Sequence, residues 1–315
     1  MRYTFVVNEG AGRPRRGPAL GVIGEEFAEE EIEFLSDSEA AAASAATRPR
    51  EQVFVAVGGD GTVNRLLPLV SRSGAALGIL PTGTANDLAR SLGIPHGLRD
   101  ACRIIRTGSR RSLDLIAVNG VPFATCGGVG LAADAAATAN RWRDGAGWNG
   151  PVARATGGFI YALAAAREIG RPGRECRVDV EWDGGRLAAP LLAALASNLT
   201  RFGGRFRAAP RARMDDGLLD LCLLPAPRNA AHHALVLRAV LGGSVLSIPG
   251  SRQAQTQRAL IRTERPALFF GDGEILARGC VFALEVRRSA LEVLAPPMPA
   301  QADPPTHAKL REEAA

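Results

Sequence analysis

Three places in this sequence set carboxylates among glycines: Gly58-Gly59-Asp60-Gly61-Thr62, Asp215-Asp216-Gly217 and Asp272-Gly273-Glu274. The first follows Val53-Phe-Val-Ala-Val57, a continuous apolar run rich in β-branched residues, which predicts a buried strand. Thr62, Val63 and Asn64 open the helix that continues through Val70. Glycines at such a strand end remove the Cβ atoms that would hold a phosphate off the backbone, and the helix N-terminus aims N–H groups at the anion. Asp60 would repel that phosphate unless a divalent cation, or a proton to be removed, lies between them. Taken alone, a glycine-rich loop is only a strand-to-helix turn, and the other two groups are tight turns between strands.

The elements that must position these residues follow from the pattern around them. Ala76-Leu-Gly-Ile-Leu80 predicts a second short buried strand, ending in the polar loop Pro81-Thr-Gly83-Thr84-Ala-Asn86-Asp87. Both loops then open on one edge of the sheet, where open α/β folds bind ligands. Arg2–Val7, Ile32–Leu35 and Ser112–Val118 predict further strands, with helices expected over Ser38–Thr47, Asp87–Leu92 and Leu98–Thr107. Arg13-Pro-Arg-Arg16 reads as a solvated loop or a phosphate-side cluster. Beyond Asn119-Gly120 the βα alternation gives way to strand segments at 121–126, 174–182, 187–198, 217–224, 258–263, 267–270 and 281–286. Apolar helices are expected at 156–169 and 230–246. The expectation is an α/β domain with a parallel sheet over 1–119, a β-sandwich over 120–295, and a disordered tail over 296–315.

Composition narrows the function. Of 38 basic residues Lys309 is the sole lysine, which excludes a Walker P-loop and a protein-kinase ATP site, since each places a lysine on the phosphates. The net charge of +6 suits anionic lipid or nucleic acid, but the arginines are dispersed and no finger spacing or aromatic RNA motif occurs, so nucleic acid is not expected as a partner. Five cysteines without a C-x-x-C pair read as reduced thiols in a cytoplasmic protein. No stretch approaches the ~20 apolar residues that cross a bilayer, so any membrane contact is expected to be peripheral, at the inner face.

Gly58-Gly-Asp-Gly-Thr-x-Asn64 together with Pro81-x-Gly-Thr-x-Asn-Asp87 resembles the nucleotide site of the diacylglycerol kinase catalytic-domain family, lipid kinases that include bacterial diacylglycerol kinases and sphingosine kinases. The second half adds Ser197-Asn198, Gly203-Gly204, Pro210-x-Ala-x-x-Asp-Asp-Gly-Leu-Leu-Asp220 and Asp272-Gly-Glu274, so the resemblance covers about residues 1–295. It implies ATP as phosphoryl donor, Mg²⁺, and a lipid alcohol as acceptor, such as diacylglycerol, a sphingoid base or a related glycerolipid. The nucleotide would meet Asn8 and Gly12 of the first loop, Ser36, Gly58, Gly59, Asp60, Gly61, Thr62, Val63, Asn64, Thr84 and Asn86. The family usually has a proline where Glu9 stands, which leaves the middle of that loop less informative than Asn8 and Gly12. Cys126-Gly-Gly-Val-Gly130 also departs from the family, where an asparagine often precedes the glycines.

The resemblance further implies a structural magnesium site at the Asp216 carboxylate and the carbonyls of Arg213 and Leu218, and a catalytic magnesium network of Asp60, Asp87 and Asp114. For Asp87 helix capping and for Asp114 a strand-end turn remain equal alternatives. Glu274 or Asp272 would take the proton from the lipid hydroxyl, with Asp60 the third candidate. Trp142, Trp148, Phe159 and Tyr161, interleaved with Arg141, Arg143 and Arg154, either face a bilayer or pack in the core, and a homodimer is left open. An NAD kinase shares the first loop but carries Asn-Glu where this chain has Asn86-Asp87. A catalytically silent lipid- or nucleotide-binding regulator is the other reading.

Overall fold

The computed structural model describes residues 1–7, 13–36, 39–40, 51–143, 159–169, 176–204 and 206–297. The loop of Asn8 and Gly12, most of the alanine-rich segment Ser38–Thr47, Trp148, Arg154 and the tail from 298 onward lie outside the described residues. Four parallel strands carry the first half. β1 (Arg2–Val7) lies between β2 (Glu31–Ser36) and β3 (Gln52–Gly58), and β3 pairs with β4 (Ala76–Pro81) from Val53↔Ala76 to Gly58↔Pro81. Every residue of β3 is buried, as an apolar run covered on both faces requires. The cover comes from α1 (Arg13–Glu26), α2 (Asp60–Ser73) and α4 (Leu98–Thr107), whose Ile23, Leu66, Leu67, Ala101 and Ile105 share one core with Phe5, Val55 and Leu77. Between them, α3 (Asp87–Ser91) is a short helix entered through Asn86 in the left-handed region, φ 49°. Arg13–Arg16, read from sequence as a loop, opens α1 instead. Pro14 is tolerated there because N–H groups of a first helical turn have no intrahelical partner to lose.

The second half contains β5 (Ser109–Val118), β6 (Val121–Phe123), β7 (Cys126–Gly130), α5 (Leu131–Arg143), α6 (Phe159–Ile169), β8 (Cys176–Trp182) and β9 (Gly185–Ser197). A short ribbon of β10 (Arg201–Phe202) and β11 (Phe206–Arg207) follows, then β12 (Leu219–Pro225), α7 (Ala230–Gly242), β13 (Arg252–Thr256), β14 (Arg258–Gly271) and β15 (Glu274–Ala295). Two segments expected as separate strands, 258–263 and 267–270, form the single strand β14 with a register shift between Arg262 and Ala267. Conversely, 121–126 is interrupted after Phe123.

Successive residues of a strand face opposite sides of its sheet, and here both sides are apolar. Along β9, Ala194 and Ala196 join the sandwich core with Val180, Ile261 and Phe282, whereas Ala193 and Leu195 join a second core beneath α5, α6 and α7. β12 divides in the same way, Leu221 and Leu223 to one side, Cys222 and Leu224 to the other. The expected sandwich therefore describes one face, and a layer of helices covers the other. α5 was not among the expected helices.

The halves are tied by two long strands. β15 pairs antiparallel with β5 from Leu284↔Val118 to Ala295↔Ser109, and its end runs parallel to β4 at Glu292↔Ala76 and Val293↔Leu77. Leu291, Val293 and Leu294 thus complete the first core from the far end of the chain. Among the described residues no helix is long and apolar enough to cross a membrane.

Candidate active site

The two polar loops of the first half meet backbone to backbone. Thr82 and Gly83 donate their N–H groups to the Gly58 carbonyl at 3.0 and 3.2 Å. A Cβ on Gly83 would lie 2.3 Å from Gly59 Cα, so no side chain fits between the loops. Two buried oxygens at this junction, Thr62 Oγ1 and Asn86 Oδ1, have no hydrogen-bond partner among the described residues, and an orphaned buried polar atom is costly unless a ligand satisfies it. Together with the α2 N-terminus, capped by Gly59, this fits a phosphate chain.

Not every residue expected at the nucleotide stands there. Val63 is buried in the first core, and its N–H, like that of Thr62, already donates to the Gly59 carbonyl. Asn64 turns away, its Nδ2 donating to Asp272 Oδ2 at 2.9 Å. Ser36 forms a reciprocal cap with Glu39: Ser36 N donates to Glu39 Oε2 at 2.7 Å and Glu39 N to Ser36 Oγ at 3.2 Å. Asn86 uses its amide to shape the loop, donating to the carbonyls of Pro81 and Gly83. Gly58, Gly59, Asp60, Gly61, Thr62 and Thr84 do line the cavity described next.

That cavity, of about 680 Å³, begins at the glycine loops and carboxylates and continues into the helical layer. Asp60, Asp87, Asp272 and Glu274 surround its polar end. Asp60 Oδ1 accepts the Asp87 N–H at 2.7 Å, and Asp87 Oδ1 accepts the N–H of Gly204 at 2.8 Å, which gives the Gly203-Gly204 pair a role. Burial first, and the Asp87 charge second, push the Asp60 carboxyl up to about 7. Asp87 is also raised by burial, against the opposing pull of the Gly204 and Gly203 amides. Two buried carboxyls held this close call for a cation or a shared proton, so the pair fits Mg²⁺.

Asp272 sits in the left-handed region, φ 54°, at the β14–β15 turn. Its Oδ1 accepts from Thr125 N at 2.8 Å and Thr125 Oγ1 at 2.5 Å, and its Oδ2 from Ala124 N and Asn64 Nδ2, both at 2.9 Å. It thereby joins α2 to the β6–β7 turn. Glu274 Oε1 lies over the phosphate loop, 3.3 Å from where a Gly61 Cβ would be. Asp114 is not brought to the Asp60–Asp87 pair and does not line the cavity. Its carboxylate accepts the N–H groups of Gly217, at 2.6 Å, and Ser289, at 2.8 Å, pinning β5 to the 213–218 turn and to the irregular stretch of β15 between Arg287 and Leu291. The third carboxylate felt by Asp60 is Asp272. At the second expected ion site Asp216 Oδ1 accepts the Leu218 N–H at 3.0 Å. The guanidinium of Arg288 packs on Gly217, so an ion there would share the turn with a positive charge. Among the described residues no three His, Cys, Asp or Glu side chains converge as a metal cluster.

The far end of the cavity is apolar, walled by Ala135 of α5, Ala165 of α6, Leu195 of β9, Leu224 of β12, Val240 of α7 and Phe270 of β14. Tyr161 lines it as well, while Trp142 is partly buried against the same core, so neither lies on a free surface. Burial raises the Cys126 thiol, which also borders the cavity, and leaves it inert at neutral pH. Sequence reasoning missed Thr125 and Arg65. Arg65, one helical turn beyond Gly61, lines the cavity, and the i, i+4 spacing was the available signal.

A family model of the diacylglycerol kinase catalytic domain matches residues 2–118, and one of the YegS C-terminal NAD kinase beta sandwich-like domain matches residues 128–295. A probable lipid kinase YegS-like protein of Pseudomonas aeruginosa strain UCBPP-PA14 is 35% identical over 196 residues, 60% of this chain and 59% of that protein. A diacylglycerol kinase of Bacillus subtilis strain 168 is 31% identical over 195 residues, again 60% and 59%. The chain thus matches these curated relatives over 59% of their length. In fold it is similar to the crystal structure of a putative diacylglycerol kinase from Bacillus anthracis strain Sterne, with a TM-score of 0.73 and 18% identity over 94% of this chain and 95% of that one. The second model spans more than half of the sequence and the first adds residues 2–118, so the chain belongs to the family that carries the YegS C-terminal NAD kinase beta sandwich-like domain, here joined to a diacylglycerol kinase catalytic domain.

Proposed function

We propose that the protein is an ATP-dependent lipid kinase that moves the γ-phosphoryl group of ATP to the hydroxyl of a lipid alcohol. One observation carries this: a single cavity joins a glycine-built phosphate cradle, through carboxylates, to an apolar interior. A soluble dinucleotide acceptor, as in an NAD kinase, has no use for an interior walled by leucine, valine, phenylalanine and alanine. The acceptor enters hydroxyl first, with its hydrocarbon among those side chains and its oxygen beside the loop at Gly61.

Phosphoryl transfer asks for alignment, charge neutralisation and a hydroxyl freed of its proton. The glycine loops align the donor. Asp60 and Asp87 hold Mg²⁺, which neutralises phosphate charge when bound. Glu274 accepts the hydroxyl proton as the oxygen–phosphorus bond forms, and ADP departs. Asp272 is the lesser candidate for base, because both its oxygens are already committed to Asn64, Ala124 and Thr125. It orients the turn on which Glu274 rides.

A structural Mg²⁺ held by Asp216 and the carbonyls of Arg213 and Leu218 belongs to the same proposal, as does peripheral contact with the inner membrane face. Labelled ATP, Mg²⁺ and an extracted lipid mixture test the reading directly. A labelled lipid supports it and identifies the acceptor. Transfer to NAD and to no lipid would overturn it, and binding of both ligands without turnover would indicate a regulator.

A further inference from the structure

Helix α7 carries aliphatic side chains on its outer as well as its inner face and is half exposed. Val236, Ala239 and Val240 face inward, and Val240 lines the cavity, while Leu235, Leu237 and Leu241 on the outside are 46%, 36% and 39% exposed. A surface helix in a soluble protein normally turns charge outward. α4 does so here, burying Ala101, Cys102 and Ile105 beneath exposed Arg99, Asp100, Arg103 and Arg106. The ends of α7 are well formed, since Asn229 caps the first turn by accepting the His232 N–H, and Gly243 closes the last at φ 74°. Its outer leucines are therefore held in place rather than frayed into solvent.

Along this stretch of the sequence the charge has one sign. Between Asp220 and Glu264 there is no acidic residue and there are five arginines, of which Arg228, Arg238 and Arg252 are exposed, Arg238 on α7 itself and Arg228 just ahead of it. Leucines flanked by arginines without a compensating carboxylate match the interface of an anionic bilayer, where apolar side chains enter the acyl boundary and guanidinium groups meet phosphates. The helix is also the wall between this surface and the cavity: Val240 and Leu241 are consecutive, one inside and one outside, so only one helix thickness, roughly 10 Å, separates the two.

We infer that the outer face of α7 is the membrane-docking surface of this protein, seating its three leucines in an anionic phospholipid bilayer so that the acceptor passes into the cavity beside the helix. The passage of acceptor rests on the lipid-kinase reading, whereas the docking face stands on exposure and charge alone.

The full chain is mixed with vesicles of phosphatidylglycerol and phosphatidylcholine and floated on a gradient, for wild type and for Leu235→Gln/Leu241→Gln, both exposed positions outside the cavity. Wild type should bind mixed vesicles, release at high salt and bind pure phosphatidylcholine weakly. The variant should partition at least ~10-fold less. It should also phosphorylate a micelle-free short-chain lipid alcohol like wild type while losing activity on vesicle-borne lipid. Equal partitioning of variant and wild type overturns the inference. So does a wild-type dimer that stays off vesicles and becomes a monomer in the variant, which assigns the face to a second copy. Vesicle binding lost in the variant, with no lipid phosphorylated by either protein, removes the kinase reading and leaves the docking face standing.

Discussion

The cavity has two walls made by opposite means. At the glycine-loop end the wall is main chain: Gly59 and Gly83 press together, and Gly58 offers its carbonyl to the facing loop. At the far end it is side chain, with alanine, leucine, valine and phenylalanine contributed by separate helices and strands. A wall of main chain tolerates no added atom and can hold only one shape. A wall of side chains can be resized one methyl group at a time, so one end is fixed in shape and the other can be retuned, which under the proposed function separates the donor from the choice of acceptor.

The sharpest test of that contrast lies at the seam between the walls. Glu274→Gln should lower lipid phosphorylation by ~10²–10⁴-fold with ATP affinity unchanged, because a positioned base acts on the acceptor alone. Asp272→Asn should instead lower the melting temperature together with the rate, since it loosens the bonds to Asn64, Ala124 and Thr125. If Glu274→Gln keeps near wild-type turnover, Glu274 is not the base and Asp60 becomes the leading candidate.

Gly83→Ala comes next. Its Cβ would have to displace Gly59, at a cost of about 1–3 kcal/mol, and isothermal titration should show weaker ATP binding in a folded protein. Unchanged affinity would place the nucleotide elsewhere. Ala135→Leu, across the cavity, should raise KM for long-chain acceptors by about 10-fold and leave KM for ATP alone. A parallel rise in both constants would mean that the walls are not independent.

The smallest effect concerns protons. With its carboxyl pushed up to about 7, Asp60 favours a folded state that holds a proton the unfolded chain has released. Stability of the magnesium-free protein should therefore fall as pH rises from about 4 to about 7, and the Asp60→Asn variant should lose that slope in thermal melts. Identical slopes would show that the Asp60–Asp87 pair carries its charge without strain.

What could be read in the sequence follows the same division. Gly58–Thr62 and Pro81–Asp87 were legible because a main-chain wall leaves its requirement in glycine spacing. Val63 and Asn64 do not line the cavity, because the motif gives order along the chain, not direction: one points into the core and the other across to Asp272. Asp114 stands apart from the Asp60–Asp87 pair for a related reason, its carboxylate accepting from amides more than 100 residues away in sequence. The apolar wall was illegible, since Ala135, Leu195 and Val240 carry no local mark that separates cavity lining from filled core. Two helices of the layer beneath it were expected, at 156–169 and 230–246, but their place against the sheet was hidden, because the buried ends of β9 and β12 are apolar on both faces and do not betray which side a helix covers.

The last strand gives the molecule a history as well as a shape. The parallel sheet of the first half is not finished until residues 292 and 293 arrive beside β4, so a ribosome adds more than 200 residues after β4 before that edge can close. Until then β4 is an open edge, and open edges invite strands from other molecules. Closure over so long a separation makes assembly slow. Expression yield should consequently depend less on the glycine loops, which are made early, than on how promptly β15 is delivered and how long a chaperone guards the waiting edge.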